Sequence, residues 1–217
     1  MKTYLIIGAG PGIGLATAER FAREGFRVVL ASRDADRTRT LAAGLRDKGL
    51  VAEERTVDAS RDASVAGLVA EVAASFGLID VLHYNAAALR NQTVADQPGE
   101  TFNADLAVNI GGALSAVRAV APAMAARGAG TILLTGGGFG LEPNPDFLSL
   151  SIGKAGIRAL ALGQFEPFRA QGVHIASVTV VAQIKPGSAE ATAVGEHFWR
   201  LHAQAPDAWT PEATFAG

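Results

Sequence analysis

Seven residues near the N-terminus, Gly8-Ala9-Gly10-Pro11-Gly12-Ile13-Gly14, follow the apolar run Tyr4-Leu5-Ile6-Ile7 and precede a helix-period segment. Glycines so spaced let a chain turn tightly and let an anion approach the backbone, while the helix that follows presents unpaired N–H donors. That arrangement cradles a pyrophosphate, so Gly8, Gly10, Pro11, Gly12, Ile13 and Gly14 are candidate dinucleotide-binding residues. The second apolar run ends Leu30-Ala31-Ser32-Arg33. An acidic residue there would hydrogen-bond a free ribose hydroxyl, whereas a hydroxyl and a guanidinium suit a 2′-phosphate. Ser32 and Arg33 therefore favour NADP(H) over NAD(H). The competing reading is a surface arginine that pairs with Asp34 or Asp36.

Other groups able to move protons are few. His83 falls in an expected strand beside Tyr84 and Asn85, and His174 opens another. His197 and His202 accompany Phe198, Trp199 and Leu201 in an aromatic patch that could close over a substrate. Structural roles are expected for all four histidines. Tyr84 is the one tyrosine besides Tyr4 and is a minor candidate proton donor. The chain has no cysteine, which removes disulfides, thiolate catalysis and cysteine–zinc sites, and no metal site is expected.

These residues need a sheet to hold them. Short apolar runs at 3–7, 26–31, 51–57, 79–84, 130–135 and 173–180 alternate with helix-period segments at 12–24, 35–48, 61–75, 101–127 and 148–170. That alternation predicts an α/β fold: a doubly wound parallel sheet of Rossmann type with helices on both faces, three layers α/β/α. A last helix near 189–203 and a short strand near 212–215 are expected to close it. At 217 residues and 49% hydrophobic composition the chain reads as one domain, 1–217. A net charge of −2 without a dense basic block argues against nucleic acid and membrane surfaces, so a small-molecule substrate is the expected partner. The early apolar stretch is too soon interrupted to be an export signal, and a cytoplasmic location is expected.

The glycine spacing, taken with five later segments, resembles the short-chain dehydrogenase/reductase family over nearly the whole chain. Asp58, followed by Ala59, lies after the third strand, where the family's aspartate meets adenine. The Asn85-Ala86-Ala87 turn looks like its Asn-Ala-Gly segment, and Asn109 in Val108-Asn109-Ile110-Gly111 matches its helix asparagine. Thr131–Thr135 corresponds to the strand leading to its active-site serine. Ser151-Ile152-Gly153-Lys154-Ala155 looks like the segment bearing its active-site lysine. The resemblance implies catalytic roles for Asn109 and Lys154, with Lys154 also on the cofactor, and pairing of subunits through 101–127 and 148–170 into a dimer or tetramer.

The family's catalytic tyrosine should stand four residues before the lysine, and its serine about thirteen before that. Here those positions read Leu150 and Gly137. Leucine cannot transfer a proton, and losing such a group costs about 10²- to 10⁴-fold in rate. Replacement acids are water, Lys154, Ser151 or Tyr84. Gly136, Gly137 and Gly138 are expected to leave an open floor beside the nicotinamide, and the short segment after the sixth strand predicts a shallow pocket. Three functions compete: an oxidoreductase acting on a carbonyl or alcohol, a non-catalytic dinucleotide-binding sensor or partner subunit, and a non-redox cyclase or lyase that reuses the pocket.

Overall fold

Apolar and β-branched runs that are buried along their whole length make parallel strands covered on both faces. In the computed structural model, which describes residues 1–217, the first is β1 (Thr3–Ile7), with every residue buried. It is followed by α1 (Ile13–Arg23), β2 (Arg27–Ser32), α2 (Ala35–Arg46), β3 (Ala52–Thr56), α3 (Asp62–Phe76) and β4 (Val81–Tyr84). The second half contains α4 (Gly99–Leu106), a π turn (Ala107–Gly111), α5 (Gly112–Arg127), β5 (Gly130–Thr135), α6 (Leu148–Arg169), β6 (Val173–Val180), α7 (Ala189–His202) and β7 (Glu212–Phe215). Short 3₁₀ turns occupy Gly138–Gly140 and Pro206–Ala208.

The seven strands are all parallel, in the order β3-β2-β1-β4-β5-β6-β7. The chain winds outward from β1 in one direction, then returns to β4 and winds the other way. The crevice between the carboxyl ends of β1 and β4 is the switch point at which such sheets bind ligands. One core layer packs α3, α5 and α6 on one face through Leu5, Ile7, Val65, Leu82, Ala113 and Ile157. The other packs α1, α2 and α7 through Ile6, Phe21, Leu30, Leu45, Leu133 and Phe198. This is the expected three-layer Rossmann architecture.

Two expectations need correction. The stretch 101–127 is not one α-helix: its ladder steps to an i→i+5 bond, Gly112 N–H to the Ala107 carbonyl, around Asn109. The whole stretch Gly99–Arg127 is long and apolar enough by length and composition to cross a bilayer. Its buried residues Val108, Ala113, Val117 and Met124 instead pack in the protein interior, as in a core helix. The aromatic patch of α7 closes over no crevice either. Trp199 meets Phe21 edge-on at 5.2 Å, and Phe198 lies 4.2 Å from the His83 ring, so the patch is interior packing between α7, α1 and the sheet.

Candidate active site

The glycine loop lies at the head of the switch-point crevice. Gly8 has φ +94°, a region glycine enters freely, and a Cβ there would collide with the Ala86 backbone. Its amide and that of Ala9 both donate to the Ala31 carbonyl, which ties the loop to the end of β2. A Cβ at Gly10 would meet nothing within 4 Å, and Gly12 stands at the N-cap of α1 and offers no side-chain cap. The first turn of α1 thus has no side-chain cap on its N–H groups and lies beside open space at Gly10, features an anion site requires.

The other end of that groove is set by β2 and β3. Ser32 is buried, and its hydroxyl is engaged with Thr38 Oγ1 at 2.6 Å and with Asp34, whose own carboxylate caps α2 through the Arg37 amide. Arg33 is exposed and makes no protein hydrogen bond or ion pair. Asp34 and Asp36 pair instead with Arg37 and Arg39, so the competing surface-pair reading of Arg33 does not describe the structure. Asp58 accepts from the Ser60 hydroxyl and amide, which hold its carboxyl below the usual range, with help from the Arg33 and Arg61 charges. Ala59, the next residue, is buried.

Asn85 carries the β4 end of the crevice: its Nδ2 donates to the Gly8 carbonyl at 2.8 Å, and Gly14 packs close to the same nitrogen. Ala86 and Ala87 continue the turn to Ala88, where Asn109 takes over. Asn109 Oδ1 accepts from the Ala88 amide at 2.7 Å and its Nδ2 donates back to the Ala88 carbonyl. The same nitrogen reaches the Ser149 carbonyl at 3.5 Å. A Cβ at Gly153 would strike the Asn109 side chain, so glycine there lets α6 lie directly on the π turn. Single π turns inside α-helices recur at functional positions because they rotate one side chain out of register.

Lys154 projects from α6 to the end of β5, where Nζ donates to the Thr135 carbonyl at 2.6 Å. Burial lowers its pKa to about 8. A Cβ at Gly137 would lie 3.3 Å from the lysine stem, so the three glycines leave no open floor; Gly136 abuts Thr179 and Gly138 abuts Val181. Leu150, one turn before Lys154, is buried. Ser151 is turned to helix closure: it accepts from the Asn144 amide and donates to the Phe147 carbonyl. Tyr84 donates its hydroxyl to the Val108 carbonyl inside the π turn, and burial pushes the phenol well up. Its proton is therefore committed to the scaffold.

One cluster was not read from the sequence. Buried Asp105, one turn before Asn109, accepts from Arg90 Nε and Nη2, Gln97 Nε2 and Ser149 Oγ. Burial alone would raise its pKa, but these donors outweigh that and hold the carboxyl low. With a backbone bridge between Gln92 and Phe147, the cluster clamps the segment after β4 onto the start of α6. Three partner residues, the outermost 59 positions apart in sequence, leave no local spacing signal.

A sequence profile of short chain dehydrogenases matches residues 2–197. The chain belongs to the short chain dehydrogenase family. An uncharacterized oxidoreductase of Staphylococcus saprophyticus is 29% identical over 199 residues, covering 91% of this chain and 82% of the relative. Among solved structures, a metagenomic short-chain oxidoreductase in complex with NADP superposes with a TM-score of 0.90 at 28% identity, covering 98% of this chain and 95% of its own. An NAD+-bound xylitol dehydrogenase superposes at 0.78 with 28% identity over 84% of this chain and 72% of its own. As a short chain dehydrogenase, the protein is of oxidoreductase stock.

Proposed function

We propose that this protein binds NADP(H) and catalyses oxidoreduction of a carbonyl or alcohol, with Lys154 carrying the proton. Gly8, Gly10, Pro11, Gly12, Ile13 and Gly14 receive the pyrophosphate, Asp58 and Ala59 border the adenine, Asn85, Ala86 and Ala87 line the nicotinamide half, and Arg33 meets the 2′-phosphate. Ser32 supports that contact through the turn it closes. The observation that carries the cofactor preference is Arg33, whose guanidinium has no internal partner although two carboxylates stand within three residues of it. The bound nicotinamide would supply or accept the hydride.

Three roles follow for the chain's own groups. Asn109 fixes the Ala88 turn and the start of α6 relative to each other. Lys154 anchors one proton on Thr135 and keeps two without a protein partner, available to a substrate oxygen or to the cofactor ribose. Ser151 supports Lys154 by closing the first turn of α6. Two copies pair through α5 and α6, whose groove of about 440 Å³ is lined by Leu114, Val117, Ala121, Leu160 and Phe168.

A second reading, a dinucleotide-binding protein without turnover, is favoured by Leu150 and Gly137, which put neither phenol nor hydroxyl beside Lys154. Fluorescence titration with NADPH and NADH, followed by nucleotide oxidation against ketones, aldehydes and quinones, separates the two. Binding with turnover supports the oxidoreductase; binding without turnover across the panel supports the second reading. Arg33→Glu should weaken NADPH by about 10- to 100-fold, the worth of a charge-assisted contact, while leaving NADH nearly unchanged. Equal loss for both nucleotides would remove Arg33 from the 2′-phosphate.

A further inference from the structure

Tyr4, His83 and the Thr135 hydroxyl have had no role so far, yet they form one continuous chain of hydrogen bonds into the site. Strand alternation puts Tyr4, His83, Thr135 and Asn85 on the same face of the sheet, stepping diagonally across β1, β4 and β5 toward the carboxyl edge. Tyr4 Oη lies 2.6 Å from His83 Nδ1, and His83 Nε2 lies 2.8 Å from Thr135 Oγ1. Thr135 Oγ1 is 2.8 Å from Asn85 Oδ1, and Asn85 Nδ2 is 2.8 Å from the Gly8 carbonyl. Tyr4 and His83 are fully buried, and Thr135 nearly so.

The far end of this chain dictates the direction of every bond in it. The Gly8 carbonyl can only accept, so Asn85 Nδ2 donates to it and Oδ1 must face Thr135. That oxygen can only accept, so the Thr135 hydroxyl spends its one proton there and its oxygen must receive a proton from His83 Nε2–H. Nδ1 is then bare and accepts from Tyr4. Each group is paired with one polarity, and His83 is confined to the neutral Nε2–H tautomer. Burial, and secondarily the Lys154 charge, hold its pKa down at about 3, while burial pushes Tyr4 up, which agrees with an uncharged chain.

Thr135 is where this chain meets the rest of the site. Its side chain orients Asn85, which holds the Gly8 carbonyl of the glycine loop, and its main-chain carbonyl receives Lys154 Nζ. We propose that Thr135, oriented by His83 and Tyr4, is a positioning residue that registers the glycine loop and Lys154 against each other. The proposal rests on the dinucleotide reading above only for what the loop binds. A buried network satisfied throughout rigidifies and specifies one geometry, whereas an unpaired member is costly; this is the behaviour expected of an orienting device.

The test compares Thr135→Val, which keeps shape and main chain but removes the hydroxyl, with Thr135→Ser, which restores it. In folded protein, the valine variant should raise the Kd for NADPH about tenfold, and the serine variant by less than twofold. Without nucleotide, amide exchange at Gly8 and Gly14 should quicken in the valine variant alone. Nitrogen-15 NMR of the wild type should show His83 as the Nε2–H tautomer, untitrated between pH 5 and 9. Unchanged NADPH affinity and exchange in Thr135→Val, or an Nδ1–H tautomer in the wild type, overturns the proposal. If Thr135→Val does not fold, His83→Leu carries the same measurements, with a smaller rise in Kd expected and an unchanged Kd and exchange pattern overturning it. Failure of the wild type to bind either nucleotide would sink the functional reading instead, and the exchange and tautomer measurements would still decide the positioning role.

Discussion

Lys154 combines a lowered proton affinity with a single protein anchor, and both follow from its reach around the end of β5. If its ammonium donates in carbonyl reduction, kcat/KM should fall as pH rises through about 8, and Lys154→Met should abolish that limb; a profile flat to pH 9.5 would exclude Nζ as donor. The neighbouring positions offer a gain-of-function experiment. A serine at Gly137 needs the lysine stem to shift by only a few tenths of an ångström, and Leu150 stands one turn from Nζ on the same helix. Leu150→Tyr with Gly137→Ser should raise turnover by about 10²- to 10⁴-fold, measured as NADPH oxidation on the panel above. No gain would show that the clamp over the start of α6 leaves no room for the phenol.

Among the elements, the π turn between α4 and α5 joins two residues that sequence reasoning kept apart. It presents Asn109 to the Ala88 turn and gives the Tyr84 hydroxyl its acceptor in Val108. Tyr84→Phe should therefore leave turnover unchanged but cost about 1–3 kcal/mol in urea unfolding, because the Val108 carbonyl loses a buried donor. Loss of turnover in a fully folded variant would return Tyr84 to the chemistry. Strands β1, β5 and β6 match the apolar runs at 3–7, 130–135 and 173–180 to the residue, since period and burial are written in local composition. Asn109 and Lys154 were legible on different grounds, the resemblance of the short strings around them to the family's, and not on period or burial. The π turn was not, because a shift from i→i+4 to i→i+5 leaves the 3.6-residue pattern almost unaltered. The Asp105 cluster and the Tyr4–His83–Thr135 chain were hidden because their partners meet only after the sheet is assembled.

Across the molecule, the buried histidines make stability depend on acid. Burial lowers His83 to about 3 and His202 to about 4, and lowers His174 as well. The unfolded chain, with ordinary histidines near 6.5, binds more protons than the native one between roughly pH 4 and 6.5, so unfolding free energy falls as pH falls through that window. Denaturant midpoints measured from pH 7.5 to 4.5 should decline, and His202→Gln should flatten part of the decline. A midpoint independent of pH over that range would mean that these rings are hydrated in solution.

Strand order has a consequence for how the chain comes into being. β1 leaves the ribosome well before its β4 neighbour, which lies beside it inside the sheet and begins only at Val81. At a synthesis rate of about 5–20 residues per second, one flank of β1 waits roughly 4 to 15 s for its partner. During that interval β1 has only β2 to pair with, and its other edge is an open template for strangers. The nascent stretch from β1 to β3 is thus the part most in need of shielding by a chaperone, and the glycine loop lacks its Asn85 contact until that turn has emerged.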